Sequence, residues 1–337
     1  MSGLTEARIR QIPKLELHVH LEGTFDLDTI CGLAEKHGVP LPRPRPALIS
    51  FTGLSDFLEL LDWICSLVRD QEDVCLLARR FAAYAREQGI VYTEVIVNPT
   101  HWKNISLEPL LAGVLQGFEE AWQAGLPDCR LLVSLRRDQS DESARRTVEW
   151  VLANRHPRLL GLSVDGDEQL AKDSNQRFAP LLRQARAAGL GVTVHAGESS
   201  GPEGVADALD RTGACRIDHG VRAVEDSDLV ERLRRERIPL NVCLTSNVAG
   251  GLYTLQTHPL KQLYDSGILV TLSTDDPRLL DVTLCQELEK AAMLYGWTEG
   301  DIIRLQEDAV AAAFCSAEEK KRLNDMLHVN PFVQSHQ

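Results

Sequence analysis

The sequence has 337 residues, of which 44% are hydrophobic, so the chain is long enough to bury a large core. Its 36 basic and 49 acidic residues give a formal net charge of −13 at pH 7, which argues against binding to nucleic acid or to an anionic membrane surface. The eight cysteines form no C-x-x-C pair, so the pattern favours reduced, buried thiols over a disulfide framework or a thiolate zinc site.

Short apolar runs alternate with longer amphipathic stretches along the chain. We predict eight strands, which begin near Leu15, Ile90, Arg130, Leu159, Gly191, Cys215, Pro239 and Ile268. Helical patterns between the later strands cover residues 141–153, 179–188, 205–211 and 226–237. Strand and helix in alternation imply a parallel sheet, and eight such units predict a closed (β/α)8 TIM barrel of the α/β class. No repeat or linker divides the chain, so we expect a single domain over residues 1–337.

The interval between the first two strands, residues 24–88, is too long for one crossover. Two helical patterns cover residues 57–68 and 74–88, and a third covers residues 27–37 before a proline-rich stretch. One crossover helix cannot use all of them. We therefore predict extra helices that are inserted after the first strand and form a lid over the C-terminal mouth of the barrel, where pockets are built.

The two ends of the chain differ from its middle. Residues 1–11 contain no signal-peptide core, and no stretch of the sequence approaches the length of a membrane span. We therefore expect a cytoplasmic protein. Residues 316–337 are polar and charged, which predicts one C-terminal helix followed by a loose tail.

Four candidate metal ligands end predicted strands. His18 and His20 close the first strand, where residues two apart point to the same face. His195 ends the fifth strand and Asp275 follows the eighth. Each has an ordinary explanation when taken alone, but barrel enzymes place their chemistry at the C-terminal ends of the strands. Three imidazoles and one carboxylate suit one zinc ion per chain, and hence metal-assisted hydrolysis.

Two further residues are candidates for proton transfer. Glu198 lies three residues past His195, too close for both to bind one metal comfortably, so we interpret it as a proton carrier whose pKa is raised by burial. Its alternative role is that of a first-turn carboxylate of a helix. His219 ends the next apolar run and is either a fourth imidazole ligand or a group beside the metal. We favour the second role, in which it holds the attacking water and stabilises a developing oxyanion.

Six motifs together identify a family. They are residues 13–23 (PKLELHVHLEG), 165–168 (DGDE), 195–198 (HAGE), 218–220 (DHG), 244–247 (LTSN) and 273–277 (STDDP). In this order, and over nearly the whole chain, the sequence resembles the adenosine deaminase family of metal-dependent purine aminohydrolases. It lacks the lysine after the fourth strand by which binuclear relatives bridge two metals, since none occurs there before Lys172.

The resemblance implies a role for each site residue. The four candidate ligands would hold one zinc ion, Glu198 would donate a proton to purine N1, and His219 would orient the attacking hydroxide. Asp276 would contact the purine near N7, and Gly166 would offer its backbone N–H to N3. Water would add at C6, and ammonia would leave from a tetrahedral intermediate.

The lid and the substrate are less tightly specified. The resemblance places an apolar lid helix at Leu54, Phe57, Leu58 and Leu61, although their spacing fits an ordinary helix core equally well. Adenosine deaminases commonly carry Asp where this chain has Glu22, and that carboxylate touches the ribose. Adenine deaminases, and some bacterial relatives that act on modified adenosines, carry Glu.

The amino acids at residues 244–247 and 273–276 resemble those of the nucleoside deaminases more closely, so we predict adenosine and deoxyadenosine as substrates. The alternatives are adenine or a 5′-modified adenosine of the methylthioadenosine or aminodeoxyfutalosine type. A remote alternative is a non-catalytic metal-bearing barrel, which would have no use for Glu198. The expected partner is a small-molecule purine, and the oligomeric state stays open.

Overall fold

The computed structural model describes residues 4–50 and 54–328. Eight parallel strands pair in sequence order: β1 Lys14–His20, β2 Ile90–Val97, β3 Asp128–Arg136, β4 Leu159–Asp165, β5 Gly191–Ala196, β6 Arg216–His219, β7 Leu240–Val242 and β8 Val270–Leu272. A parallel bridge between Val19 and Asp275 joins β1 to the chain that follows β8. The predicted (β/α)8 barrel is confirmed, and each strand begins within two residues of its predicted start.

Helices surround the strands and fill the longer connections. In the described ranges they are α1 Glu6–Arg10, α2 Leu27–Lys36, α3 Leu54–Ser66, α4 Gln71–Glu87, α5 Leu107–Gln123, α6 Asp141–Ala153, α7 Ser174–Ala187, α8 Pro202–Thr212, α9 Ser227–Glu236, α10 Leu244–Ala249, α11 Leu260–Asp265, α12 Leu284–Tyr295, α13 Glu299–Ala312 and α14 Ala317–His328. Helix α6 has the bounds predicted for it. It begins there because the Ser140 side chain accepts a hydrogen bond from the Ser143 N–H and so caps the first turn.

The long connection between β1 and β2 contains α2, α3 and α4. Helix α4 packs on β2 and α5, as an outer-ring helix of the barrel does. Helix α3 instead contacts the short turns Leu21–Thr24 and Pro99–His101, which follow β1 and β2. Asp62 on α3 accepts a hydrogen bond from Lys103 at 2.6 Å. The inserted helices are therefore present at the C-terminal side of these strands, and their action as a lid stays a prediction.

The opposite end of the barrel is closed by the C-terminal helices. Residues of α13 and α14 pack against the strand residues Leu15, Leu17 and Tyr92. Arg216 and Glu94 form a fully buried ion pair, with 2.7 Å between Arg216 Nη1 and Glu94 Oε2. The predicted C-terminal helix is α14, and the predicted loose tail over residues 329–337 lies outside the described residues.

Two properties of the described residues bear on the expectations from composition, namely helix length with apolarity and the burial of the cysteines. No helix in residues 4–50 or 54–328 is long and apolar enough to cross a membrane. All eight cysteines are free, and six of them are buried. Burial raises the pKa of the Cys129 and Cys243 thiols, which keeps them protonated and unreactive at neutral pH.

Candidate active site

Four imidazoles and a carboxylate meet at the C-terminal end of the barrel. His18 Nε2 lies 3.1 Å from Asp275 Oδ1, and His20 Nε2 lies 3.1 Å from His195 Nε2. One ligand atom from each of His18, His195, His219 and Asp275 lies within 4.8 Å of the others. His20 Nε2 is 3.5 Å from Asp275 Oδ1, so it reaches the same point. The structure thus brings together all four candidate ligands from the sequence, with His219 beside them.

Asp218 lies beside two of these imidazoles, those of His18 and His195. Its Oδ1 lies 3.4 Å from His18 Nδ1, and its Oδ2 lies 3.4 Å from His195 Nδ1. Burial alone would raise the pKa of Asp218, but His18 and His195 hold it well below its usual range. An ionised Asp218 within ion-pair distance of both Nδ1 atoms favours a hydrogen on Nδ1 of each ring, which leaves the Nε2 lone pairs available to a metal. The sequence gives Asp218 only as part of a motif, and its place beside His219 at a strand end is the signal for this role.

The donor set fits a divalent cation. With Nδ1 protonated, His18 and His195 present Nε2 lone pairs, and His20 and Asp275 complete a set of nitrogen and oxygen ligands that zinc accepts. Burial lowers the pKa of His20 and His195, which keeps both rings neutral as metal binding requires. For His18, burial is outweighed by Cys243, Asp218 and Asp275, which raise its pKa. The charge around His18 therefore attracts a cation to this point.

Two site residues have left-handed backbones. His219 has a φ of 63° and Asp275 a φ of 66°, a region that residues other than glycine seldom adopt. Successive strand residues normally point to opposite faces, and the change of hand at His219 lets it face the centre together with Asp218. Such strain persists where the surroundings hold it, often at functional sites. The left-handed backbone at His219 and Asp275 is therefore consistent with the functional roles expected for both residues from the sequence.

Glu198 lies beside His219. Its Oε2 lies 3.6 Å from His219 Nε2. Burial raises the pKa of Glu198, although the neighbouring His219 lowers it in part. A carboxyl group with a raised pKa keeps its proton closer to neutral pH, which is the state that a proton donor needs. The position and the direction of the pKa both suit the proton carrier expected from the sequence.

The loop that carries Glu198 is held by Glu168. Its Oε1 accepts from the Gly197 N–H at 2.9 Å, and its Oε2 accepts from the N–H groups of Glu198, Ser199 and Ser200 at 3.0, 2.8 and 3.1 Å. The Ser200 hydroxyl donates to Oε1 as well. Glu168 is buried, so these bonds are shielded from water. One carboxylate therefore fixes four consecutive backbone N–H groups around the proposed proton carrier.

Glu22 presents one free carboxylate oxygen. Its Oε1 accepts from the Asn98 N–H and from the Trp102 indole N–H, both at 2.7 Å. Its Oε2 is buried and has no hydrogen-bond partner in the described structure. Burial raises the pKa of Glu22 to about 7. The sequence points to Glu22 itself but gives no sign of Asn98 and Trp102, which hold it in place.

Asp276 and Gly166 lie at the same end of the barrel. Burial and the neighbouring carboxylates of Asp275 and Glu22 raise the pKa of Asp276 well above its usual range. A Cβ at Gly23 would lie only 2.2 Å from Asp276 Oδ1, so glycine is required where the turn after β1 meets this residue. Gly166 follows β4 with a φ of 89° and is exposed.

The expected lid residues are described only in part. Leu61 is buried on α3. The side chains of Leu54, Phe57 and Leu58 lie outside the described part of the structure. Their contact with substrate stays a prediction.

A family model described as adenosine deaminase matches residues 13–329. The chain belongs to the adenosine deaminase family. A relative named adenine deaminase from Sinorhizobium medicae is 37% identical over 94% of this chain and 99% of its own length. A second relative of that name, from Sinorhizobium fredii, is 38% identical over the same shares.

Solved structures of this family have the same fold. An adenine deaminase from Arthrobacter aurescens has a TM-score of 0.88 at 29% identity, over 94% of this chain and 98% of its own. An amidohydrolase from Burkholderia ambifaria with bound zinc has a TM-score of 0.86 at 26% identity, over 96% and 95%. The protein is thus a hydrolase of a metal-dependent family and deaminates an adenine-type substrate.

Proposed function

We propose that this protein deaminates adenine, forming hypoxanthine and ammonia, with one zinc ion bound by His18, His20, His195 and Asp275. The amino acids of the motifs at residues 244–247 and 273–276 favour adenosine. However, two relatives, with 37% and 38% identity to this chain, are both named adenine deaminase. Adenine is the alternative substrate that Glu22 indicates in the sequence. The free oxygen of Glu22 is the observation that carries the proposal.

The unpaired Glu22 oxygen distinguishes purines that carry a hydrogen on N9 from those that do not. Glu22 Oε1 already accepts two hydrogen bonds, whereas Oε2 is buried without a partner. Free adenine carries an N–H on its five-membered ring, but in adenosine N9 is bonded to ribose and has no hydrogen. A buried acceptor left unpaired costs about 1–3 kcal/mol, equivalent to a preference of about fivefold to 150-fold for the purine that pairs it.

The remaining residues complement the other ring nitrogens of adenine. Asp276, with its raised pKa, can donate from its carboxyl group to N7, and the Gly166 N–H can donate to N3. Glu198 delivers a proton to N1, which makes C6 electrophilic. When bound, the metal ion supplies a water of lowered pKa. His219 steadies the attacking oxygen, and ammonia leaves after a proton reaches the amino group.

A substrate panel tests the proposal directly. Ammonia release is measured with adenine, adenosine, deoxyadenosine, AMP and methylthioadenosine. We expect the highest kcat/KM with adenine. Turnover of adenosine or of a 5′-modified adenosine above that of adenine would overturn the choice of substrate and leave the deaminase family in place.

Glu22→Asp tests whether the Glu22 carboxylate determines the choice between adenine and adenosine. The shorter side chain withdraws the acceptor, so kcat/KM for adenine should fall relative to adenosine by at least several-fold, because one polar contact is worth about 1 kcal/mol. Glu203→Gln, which alters an exposed carboxylate, is the control and should leave the ratio unchanged. Equal ratios in wild type and Glu22→Asp would show that Glu22 does not read the substituent at N9.

A further inference from the structure

Two buried residues form a hydrogen-bonded chain behind His219. The amide Nδ2 of Asn247 lies 3.1 Å from His219 Nδ1. The amide Oδ1 of Asn247 lies 3.2 Å from His258 Nε2. The backbone N–H of Leu260 donates to His258 Nδ1 at 3.1 Å. Asn247, His258 and His219 are all buried, so no solvent competes for these bonds.

The backbone end of the chain fixes the direction of every bond. A backbone N–H can only donate, so His258 Nδ1 must accept with a lone pair. The ring hydrogen of His258 is then on Nε2, and the Asn247 atom that faces it must be the oxygen. The Asn247 NH2 group consequently donates to His219 Nδ1.

A flipped Asn247 amide is incompatible with this chain. It would place the NH2 group against His258 Nε2, and His258 would have to accept at both ring nitrogens. A neutral imidazole has only one acceptor nitrogen. The assignment of the amide therefore follows from the Leu260 N–H and not from a choice between similar atoms.

We infer that Asn247 and His258 are positioning residues that hold His219 with its hydrogen on Nε2. This nitrogen faces the pocket, 3.6 Å from Glu198 Oε2 and 3.9 Å from Asp275 Oδ2. Metal binding through Nε2 needs a lone pair there, which this tautomer lacks. Of the two roles open to His219, it therefore takes that of a hydrogen-bond donor to the attacking oxygen, a role that rests on the proposed function.

Nitrogen NMR of the zinc-loaded protein with 15N-labelled histidine tests the tautomer without any substrate. The His219 signals are assigned by their loss in His219→Gln. We expect a protonated Nε2 and an unprotonated Nδ1 in the wild type. A protonated Nδ1, or a metal-bound Nε2, would overturn the inference. The result does not depend on whether adenine is the substrate.

Asn247→Asp should reverse the tautomer. The carboxylate has no hydrogen to donate, so His219 Nδ1 becomes protonated and Nε2 loses its hydrogen. We expect kcat to fall by about a hundredfold, the usual loss for one donor to an oxyanion, with KM changed by less than about threefold. The matched control is Asn154→Asp, an exposed amide on the surface beyond α6. Wild-type His219 signals and kcat in Asn247→Asp would contradict the inference.

His258 can be tested by loss and rescue. His258→Phe removes the donor to Asn247 Oδ1, so the amide can turn and kcat should fall by about tenfold. His258→Gln restores an N–H donor and should recover most of the loss. If His258→Phe and His258→Gln are equally impaired and both keep the wild-type His219 signals, His258 acts only through packing and the inference fails for it.

Discussion

Glu168→Gln probes the network that holds the proposed proton carrier. The Glu168 carboxylate accepts from the backbone N–H groups of residues 197–200 and from the Ser200 hydroxyl. Glutamine has nearly the same shape but only one acceptor oxygen and no charge. The substitution therefore changes the hydrogen bonds of this loop while leaving its packing nearly intact.

The magnitude follows from the number of acceptors. In its best orientation the glutamine oxygen replaces Oε2 and keeps three N–H groups, and its NH2 group then faces the Gly197 N–H. An unpaired buried N–H costs about 1–3 kcal/mol, and the three remaining bonds lose the extra strength of a charged acceptor. Burying a neutral amide is cheaper than burying a carboxylate, which offsets part of the loss. We expect a net destabilisation of about 3 kcal/mol.

Thermal unfolding and steady-state kinetics measure the two consequences. A loss of this size should lower Tm by about 4 °C in a chain of this length. Because residues 197–200 carry Glu198, kcat should also fall by about tenfold or more, since small misplacements of catalytic groups are costly. Glu203→Gln changes an exposed carboxylate in the same connection and should stay within about 0.5 kcal/mol of wild type. A Glu168→Gln protein with the wild-type Tm and kcat would refute the reasoning.

Three further experiments address the metal, the proton and the pH dependence. His18→Ala should lose both metal and activity, and elemental analysis of the wild type should give about one zinc per chain; two tightly bound metals would contradict the mononuclear site. Glu198→Gln should retain the metal while kcat falls by about a hundredfold or more, and near-normal turnover would remove it from proton transfer. Burial lowers the pKa of Lys14 from 10.5 to about 8. Between pH 8 and pH 10.5 the unfolded state therefore binds more protons at this lysine than the folded state does. The free energy of unfolding consequently rises with pH over this range. The unfolding free energy of wild type relative to Lys14→Met should therefore increase by about 3 kcal/mol from pH 8 to pH 10.5, and a constant difference would show that Lys14 titrates normally.

The sequence predicts the barrel well because its strands are apolar runs between helical patterns. Even β7 and β8, with three residues each, stand out in this way. Helices α10 and α11 have six residues each, too few for a helical period to show, and the sequence does not predict them. The helices inserted after β1 are predicted from their helical patterns, and their status as an insertion follows from chain length, because one crossover cannot use so many residues.

The sequence predicts those residues of the candidate site whose own side-chain type indicates their chemistry. His18, His20, His195 and Asp275 are visible because imidazoles and a carboxylate end apolar strands. Glu168 is not assigned a role in this way, because its partners are backbone N–H groups some 30 positions further along, which a sequence does not display. The same holds for the donors that fix Glu22 and for the chain behind His219. The choice between adenosine and adenine depends on such contacts.

The closure of the barrel has a consequence for synthesis of the chain. Asp275 pairs with the backbone of β1, accepting from the His20 N–H at 2.8 Å, and its carboxylate lies beside His18. The first and last members of the proposed ligand set, His18 and Asp275, are thus far apart in the 337-residue sequence. A nascent chain, or one released before residue 275, holds histidines without the carboxylate that completes their set. The polar centre is therefore assembled only after residue 275 has been synthesised, so a product truncated before that residue cannot acquire the complete site.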